Sequence, residues 1–415
     1  MELQNKIENE IDIESILSSE SLISHFQPIF SIKDTRIIGF EALARATDPH
    51  SGNAIPPGIL FKNADEKGLL WELDCLCRKK AIEGFSKFAN TDENLLLFLN
   101  LDVSILNNQN AVANRIIEMV NQCHINPERV VIEFIESKVS DIEALQRFLS
   151  IHRNHGFIIA LDDLGTGYSN LERIPLMKPD IIKLDRSLIS GINSEYHKQE
   201  LFDFFIKLAH KIGVLVIAEG IESIEEALTC LELGADLVQG FYFEKPISPE
   251  KFAFYESIPK IVRTNAIFKD HIKSKFEQQK KQFNEYDYIT SNVCSNMENT
   301  TPENYDITLV NIVNQFPEIE CAYVLHETGI QISSTILNSG RNFRKRSTLF
   351  APTDVGCDKS SEEYFIALSK SQLRYITSPH VSKASGNICV TIASLVTCND
   401  NKTIVVCIDI SKPVS

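Results

Sequence analysis

Short runs of Val, Ile and Leu recur through the first 240 residues, and each ends on a polar side chain. LLLFLN closes on Asn100, and RVVIEF carries Glu133 with Glu136 three residues on. IIALDD closes on Asp162 and Asp163, and DIIKLD carries Lys183 and Asp185. VLVIAEGIE carries Glu219 and Glu222, and ADLVQG leads to Gln239. Continuous β-branched runs of this length suit strands buried on both faces. Between them, residues 102–127, 141–155, 198–212 and 224–233 have helical spacing, each followed by Gly, Pro or Asn near its end. Alternating strands and crossover helices predict a (β/α) barrel, whose strand C-termini converge on one site. Upstream, 1–20 reads as a helix with Ile7, Ile11, Ile13, Ile16 and Leu17 on one face. Strands follow at 25–30 and 37–41 around a turn at Lys33-Asp34. A Pro/Gly-rich loop occupies 46–58, and 59–88 reads as helical with a break at Gly68.

The pattern changes after residue 250. Residues 260–283, KIVRTNAIFKDHIKSKFEQQKKQF, are basic and helically spaced, and 287–304 are polar. From 305 the chain alternates as an antiparallel sheet would, with a hairpin signal at Glu327-Thr328-Gly329 and β-rich runs divided at SKASGN and CNDNK. Helices are expected at 305–316 and 360–371. The division is therefore a barrel at 1–257, a helical linker at 258–304 and a smaller α+β domain at 305–415.

Composition narrows the class without changing the fold. The 415 residues are 43% hydrophobic and 23% charged, ordinary for a globular chain. The formal net charge of −15 argues against binding a nucleic acid polymer, while leaving room for a local phosphate pocket. No apolar run reaches membrane-spanning length, so no membrane span is expected. The polar, acidic N-terminus does not read as a signal peptide. The 10 cysteines are scattered, which favours reduced thiols and a cytoplasmic setting over a disulfide framework.

The chemistry lies in LDDLGTGYS at 161–169. Asp162 and Asp163 raise each other's pKa, and a divalent cation relieves their repulsion. Gly165 and Gly167 permit close backbone approach. Taken alone, the pair also reads as a helix N-cap. The recurrence of polar tips along the chain favours a metal site. His124, His152, His155 and His210 fall on or beside helices and are poor ligand candidates.

Eight ordered motifs then carry a resemblance: QPI at 27–29, EALAR at 41–45, LN at 99–100, E-x-x-E at 133–136, DD-x-GTGYS at 162–169, KLD at 183–185, AEGIE at 218–222 and QGFYFEKP at 239–246. Over roughly residues 20–255 the chain resembles EAL-domain phosphodiesterases, which hydrolyse cyclic di-GMP. The resemblance implies a modified TIM (β/α)8 barrel with an antiparallel first strand, and a metal-dependent hydrolase giving linear pGpG. It implies Mg2+ or Mn2+, two ions, held by Glu41, Asn100, Glu133, Asp162 and Asp163. Lys183 would orient water or stabilise charge, Glu219 would complete the shell, and Glu136 would anchor the 162–169 loop. Gln27 and Arg45 would contact the nucleotide, with Gln239 and Glu222 supporting the site. Leu164 departs from the family's usual Phe but removes no ligand. A homodimer is expected by the same resemblance. Residues 305–415 resemble PAS-like or Cache-type sensor domains. Two alternatives stand beside hydrolysis: a receptor that binds cyclic di-GMP without cleaving it, and a barrel lyase using Lys183 as a Schiff base.

Overall fold

The computed structural model describes residues 11–49, 51–88, 92–102, 109–135, 141–165, 171–251, 257–341, 350–368 and 371–411. It divides into two compact units, 1–272 and 273–415. In the first, β1 (Leu22–Ser31), β2 (Arg36–Thr47), β4 (Leu96–Leu101), β5 (Val130–Ile135), β6 (Ile158–Leu164), β7 (Ile181–Leu184), β8 (Leu215–Ala218) and β9 (Leu237–Val238) follow in the order β1-β9-β8-β7-β6-β5-β4-β2. Pairing of β1 with β2 closes the ring, and the short β3 (Ala54–Ile55) lies on the far edge of β2. Neighbours from β2 round to β9 are parallel. β1 is antiparallel to both β2 and β9, so the expected barrel with a reversed first strand is what the chain forms.

Helices α1 (Ile13–Ser19), α2 (Pro57–Glu66), α3 (Leu70–Ser86), α4 (Gln109–Gln122), α5 (Ile142–Asn154), α6 (Arg173–Met177), α7 (Arg186–Ile189), α8 (Tyr196–Lys211) and α9 (Ile224–Glu232) belong to the same unit. Their starts follow local chemistry. Asp141 accepts from Ala144 N at the head of α5, and Ser223 with Glu226 forms a capping box on α9. The break between α2 and α3 falls at Gly68, as expected. One predicted bound moves with a consequence for the site. β2 runs on to Thr47 because Leu22 to Ser24 continue its pairing, so Arg45 sits on a strand instead of after one. Of the N-terminal helix only α1 falls in the described residues, and Ile7 lies outside them.

Two apolar layers hold the barrel. Phe30, Phe40, Leu97, Ile132, Leu161 and Val216 point outward under the helices. Ile29, Phe98, Val131, Ala160, Ile181, Ile217 and Leu237 fill the interior. His152 of α5 joins the outer layer with no exposed surface, stacked on Phe148 at 3.9 Å between ring centroids. Its Nδ1 hydrogen-bonds to Phe148 O at 2.9 Å, while Nε2 is buried with no hydrogen bond. Burial pushes its pKa down from 6.5 to about 4. The folded state therefore binds fewer protons than the unfolded state below pH 6.5. This contribution is complete above pH 6.5 and is lost as pH falls towards 4, for a total of about 3 kcal/mol. His152→Leu should flatten the fall in urea-unfolding midpoint over that window. Equal pH slopes for both proteins would refute the assignment.

The second unit contains most of helix α10, which is continuous over Ser257–Glu298. The stretch expected as a solvated linker helix belongs to one continuous 42-residue helix. Ile261 packs in the barrel core, and Ile289, Val293 and Met297 pack in the core of the second unit. Polar residues 287–298, read as a boundary, are helical because an apolar stripe is threaded through them. The unit adds α11 (Tyr305–Gln315) and a sheet ordered β11-β10-β15-β14-β12: β10 (Ile319–His326), β11 (Ile336–Leu337), β12 (Arg374–Ile376), β14 (Ile388–Thr397) and β15 (Thr403–Ser411), with β13 (His380–Val381) beside β14. Its pairings are antiparallel. Of the helix expected over 360–371, only α12 (Glu363–Ile366) forms among the described residues. One sheet face meets α10 and α11 through Val324, Ile392, Val406 and Ile408. The other carries Tyr323, Leu325, Ala393, Val405 and Cys407.

Candidate active site

The site follows from strand periodicity. Side chains two apart on a strand share a face. Each interior residue of a parallel strand is therefore followed, two positions on, by a group at the barrel's C-terminal mouth. Phe98 leads to Asn100, Val131 to Glu133, Ala160 to Asp162, Ile181 to Lys183, Ile217 to Glu219 and Leu237 to Gln239. β1 runs the other way, so Gln27 precedes Ile29 and reaches the same end, with Gln27 opposite Glu41 in register.

Lys183 occupies the centre, fully buried. Its Nζ lies 2.5 Å from Glu219 Oε1, 2.7 Å from Glu133 Oε1, and 3.5 Å from both Glu41 Oε2 and Asp162 Oδ1. Burial would lower its pKa, but the surrounding Asp162, Glu133, Glu219 and Glu41 charges outweigh that and hold it well above the ordinary lysine value. Burial pushes the pKa of Glu133, Asp162 and Glu219 upward despite Lys183. Glu41 is also buried, yet goes down, because Lys183, Asn100 and Gln239 all stabilise its charge. Asn100 Nδ2 donates to Glu41 Oε1 at 2.9 Å, and Gln239 Nε2 donates to Glu41 Oε2 at 2.7 Å and to Gln27 Oε1 at 3.3 Å.

Asp163 sits at a register shift between β6 and β7, in the left-handed region at φ 58°. Bulges of this kind re-aim side chains beside active sites. Its backbone N–H donates to Asp162 Oδ1 at 2.9 Å. Its pKa is raised to about 6 by burial and by the Asp162 and Asp185 charges. Arg45 is half-buried, donates to Ala44 O at 2.8 Å, and lines a cavity of about 270 Å³ that also reaches Asn100. Glu222 is engaged elsewhere: its carboxylate pairs with Arg186, one contact at 2.7 Å, on a partly exposed surface. Glu136 lies outside the described residues. The sequence reading passed over Asp74 and Arg78, a buried ion pair on α3 that lines the same cavity as Arg45. Opposite charges four apart on a helix otherwise facing the core were the available signal.

Among the described residues no three His, Cys, Asp or Glu groups stand arranged around a point that would hold a metal; the carboxylates close on Lys183 instead. The donor set nevertheless fits a hard divalent cation. Glu41, Glu133, Asp162 and Asn100 offer oxygen donors from adjacent strand ends. Glu133 Oε2 is buried with no partner, its Oε1 has only the Lys183 ammonium, and four carboxylates face that one ammonium.

A model of the EAL domain matches residues 10–246, more than half the chain. The chain belongs to the EAL domain family. Among EAL relatives, the signaling protein YkoW of Bacillus subtilis is 28% identical over 60% of this chain and 31% of its own length. The cyclic di-GMP phosphodiesterase RocR of Pseudomonas aeruginosa is 27% identical over 59% of this chain and 62% of its own. The chain thus spans about a third to under two thirds of the length of these curated relatives. A crystal structure of the EAL-domain protein YkuI of Bacillus subtilis, in complex with c-di-GMP and calcium, superposes with a TM-score of 0.78. It covers 97% of this chain and 100% of YkuI at 22% identity, a likeness of fold.

The EAL motif Q-G at 239–240 has a packing reason. A Cβ on Gly240 would lie 2.1 Å from Ile221 O and 2.3 Å from Ile221 N, backbone atoms that cannot swing aside. Gly240→Ala should cost about 1–3 kcal/mol or more and displace Gln239 from Glu41. A melting temperature equal to wild type would refute that reading.

Proposed function

We propose that the barrel hydrolyses cyclic di-GMP to linear pGpG with divalent cations. The observation that carries the reading is the convergence of Glu41, Glu133, Asp162 and Glu219 on Lys183 at the mouth of a closed barrel in an EAL-family chain. Relatives named as cyclic di-GMP phosphodiesterases support it, as do solved EAL structures holding c-di-GMP with calcium or manganese.

Glu41, Asn100, Glu133 and Asp162 would hold one Mg2+ or Mn2+, and Asp163 would help hold a second. Bound there, such ions supply an activated water and neutralise charge on the phosphoryl oxygens. Lys183 keeps its proton and places a fixed positive charge where negative charge develops. Asn100 and Gln239 orient the Glu41 carboxylate from both of its oxygens. Arg45 offers a planar guanidinium to a phosphate at the cavity edge, and Gln27 offers an amide to the nucleotide. Glu219 fixes Lys183, and Glu222 steadies the following loop through Arg186. The lyase alternative needs a neutral amine at Lys183, and four carboxylates oppose that. The non-cleaving receptor is separated by one experiment. Purified chain incubated with cyclic di-GMP and Mg2+ or Mn2+, then chromatographed, should yield pGpG; binding without product would establish the receptor.

Residues 305–415 we assign as a PAS-like sensor or dimerisation domain of a cytoplasmic homodimer, an assignment that sedimentation of the full chain tests. Among the described residues no helix is long and apolar enough to cross a membrane.

A further inference from the structure

The second unit has a cavity of its own on the sheet face that α10 and α11 do not cover. It measures about 80 Å³ and is lined by Tyr323, Lys359, Tyr364, His380, Ser382 and Asp409, among others. Lys359 is the unusual member. Its residue surface is only 8% exposed, yet its ammonium makes no hydrogen bond or ion pair with any described residue. The stem is covered while the ammonium keeps contact with solvent, an unpartnered positive charge at the cavity lining.

The other charges around the cavity are matched. Asp409 accepts from Thr391 Oγ1 at 2.6 Å and from Ser382 Oγ at 2.7 Å. Glu362 pairs with Lys383 at 3.3 Å. His380 Nε2 meets Thr391 Oγ1 at 3.2 Å. Tyr323 donates its hydroxyl to the Tyr364 oxygen at 2.9 Å, which leaves the Tyr364 O–H itself to donate. The cavity therefore offers one unspent positive charge and a phenolic donor. Its volume holds roughly five to eight water-sized occupants.

We propose that this cavity binds a small carboxylate of about six non-hydrogen atoms, its anionic group held by Lys359 and Tyr364. The proposal does not depend on the chemistry of the barrel, and its readout is binding alone.

Calorimetric titration of the full chain with lactate, pyruvate, the neutral lactamide and inorganic phosphate tests it. Lactate or pyruvate should bind, and lactamide should bind at least about tenfold more weakly, the scale of one hydrogen bond to a charged group. Lys359→Met should lose carboxylate affinity by about tenfold or more with an unchanged far-ultraviolet spectrum. Tyr364→Phe should weaken it by a smaller factor and keeps the question answerable should Lys359→Met fold poorly. Absence of heat or of a melting shift with either carboxylate at millimolar concentration overturns the proposal. So does undiminished affinity in Lys359→Met or, should that variant not fold, in Tyr364→Phe. Preference for phosphate over both carboxylates overturns the ligand class.

Discussion

Asp162→Asn is expected to lower cyclic di-GMP hydrolysis by more than about a hundredfold, beyond the roughly 10–100-fold cost of losing a partner that only supports a ligand, because Asp162 is proposed to hold the metal directly. The substitution keeps the side chain's size and removes its charge. The amide oxygen can still accept from the Asp163 N–H, so the bulge that positions Asp163 should survive. What is lost is one anionic oxygen in the group around Lys183. Binding of cyclic di-GMP should persist through Gln27 and Arg45, which separates loss of chemistry from loss of the site. Turnover near wild type at saturating Mg2+ or Mn2+ would sink the role assigned to Asp162.

Lys183→Met should be costly in a different way. Glu133, Glu41 and Asp162 would remain buried, and Glu219 partly buried, with no ammonium among them. Breaking a buried ion pair from one side costs about 3–5 kcal/mol, because the charge left behind has neither water nor partner. In chelator the variant should melt well below wild type, and Mg2+ or Mn2+ should recover more of the loss in the variant than in wild type. Hydrolysis should remain low even when stability is restored, since the fixed positive charge is gone. Scanning calorimetry with and without the ions decides. Equal melting temperatures in chelator would mean that the carboxylates do not need Lys183.

Much of this site was legible because a strand has a period of two and a barrel gathers its strand ends. Glu41, Asn100, Glu133, Asp162, Lys183, Glu219 and Gln239 each follow an apolar run, and the fold brings them together. Local pattern ends the strand at Glu41 and leaves Arg45 past it, because the pairing that extends β2 comes from β1. Glu222 was grouped with Glu219 through the motif, but Gly220 at φ 66° ends the strand's alternation between them, and Glu222 turns to Arg186. The length of α10 was missed because its last turns are polar except for Tyr286, Ile289, Val293 and Met297, spaced three or four apart. Of the helix expected at 360–371, four residues form among the described residues, next to the bond from the Lys359 backbone N–H to Gly329 O and the Glu362–Lys383 pair. Lys359 itself carries no sequence signal; only its burial singles it out.

The reversed first strand has a consequence for how the chain is made. β1 can pair with β2 as soon as a hairpin's worth of residues has left the ribosome. Its other neighbour, β9, is two hundred residues later, and they share one register pair, Phe30 with Val238, helped by Phe26 with Ile247. The ring stays open through most of synthesis, with the edges of β1 and of the newest strand exposed, and it is sealed last at its most lightly bonded joint. Gln27 and Gln239 face each other across that joint. The two amides that meet Glu41's neighbourhood are therefore assembled only when the barrel closes, so a nascent chain carries no finished pocket before its last strand arrives.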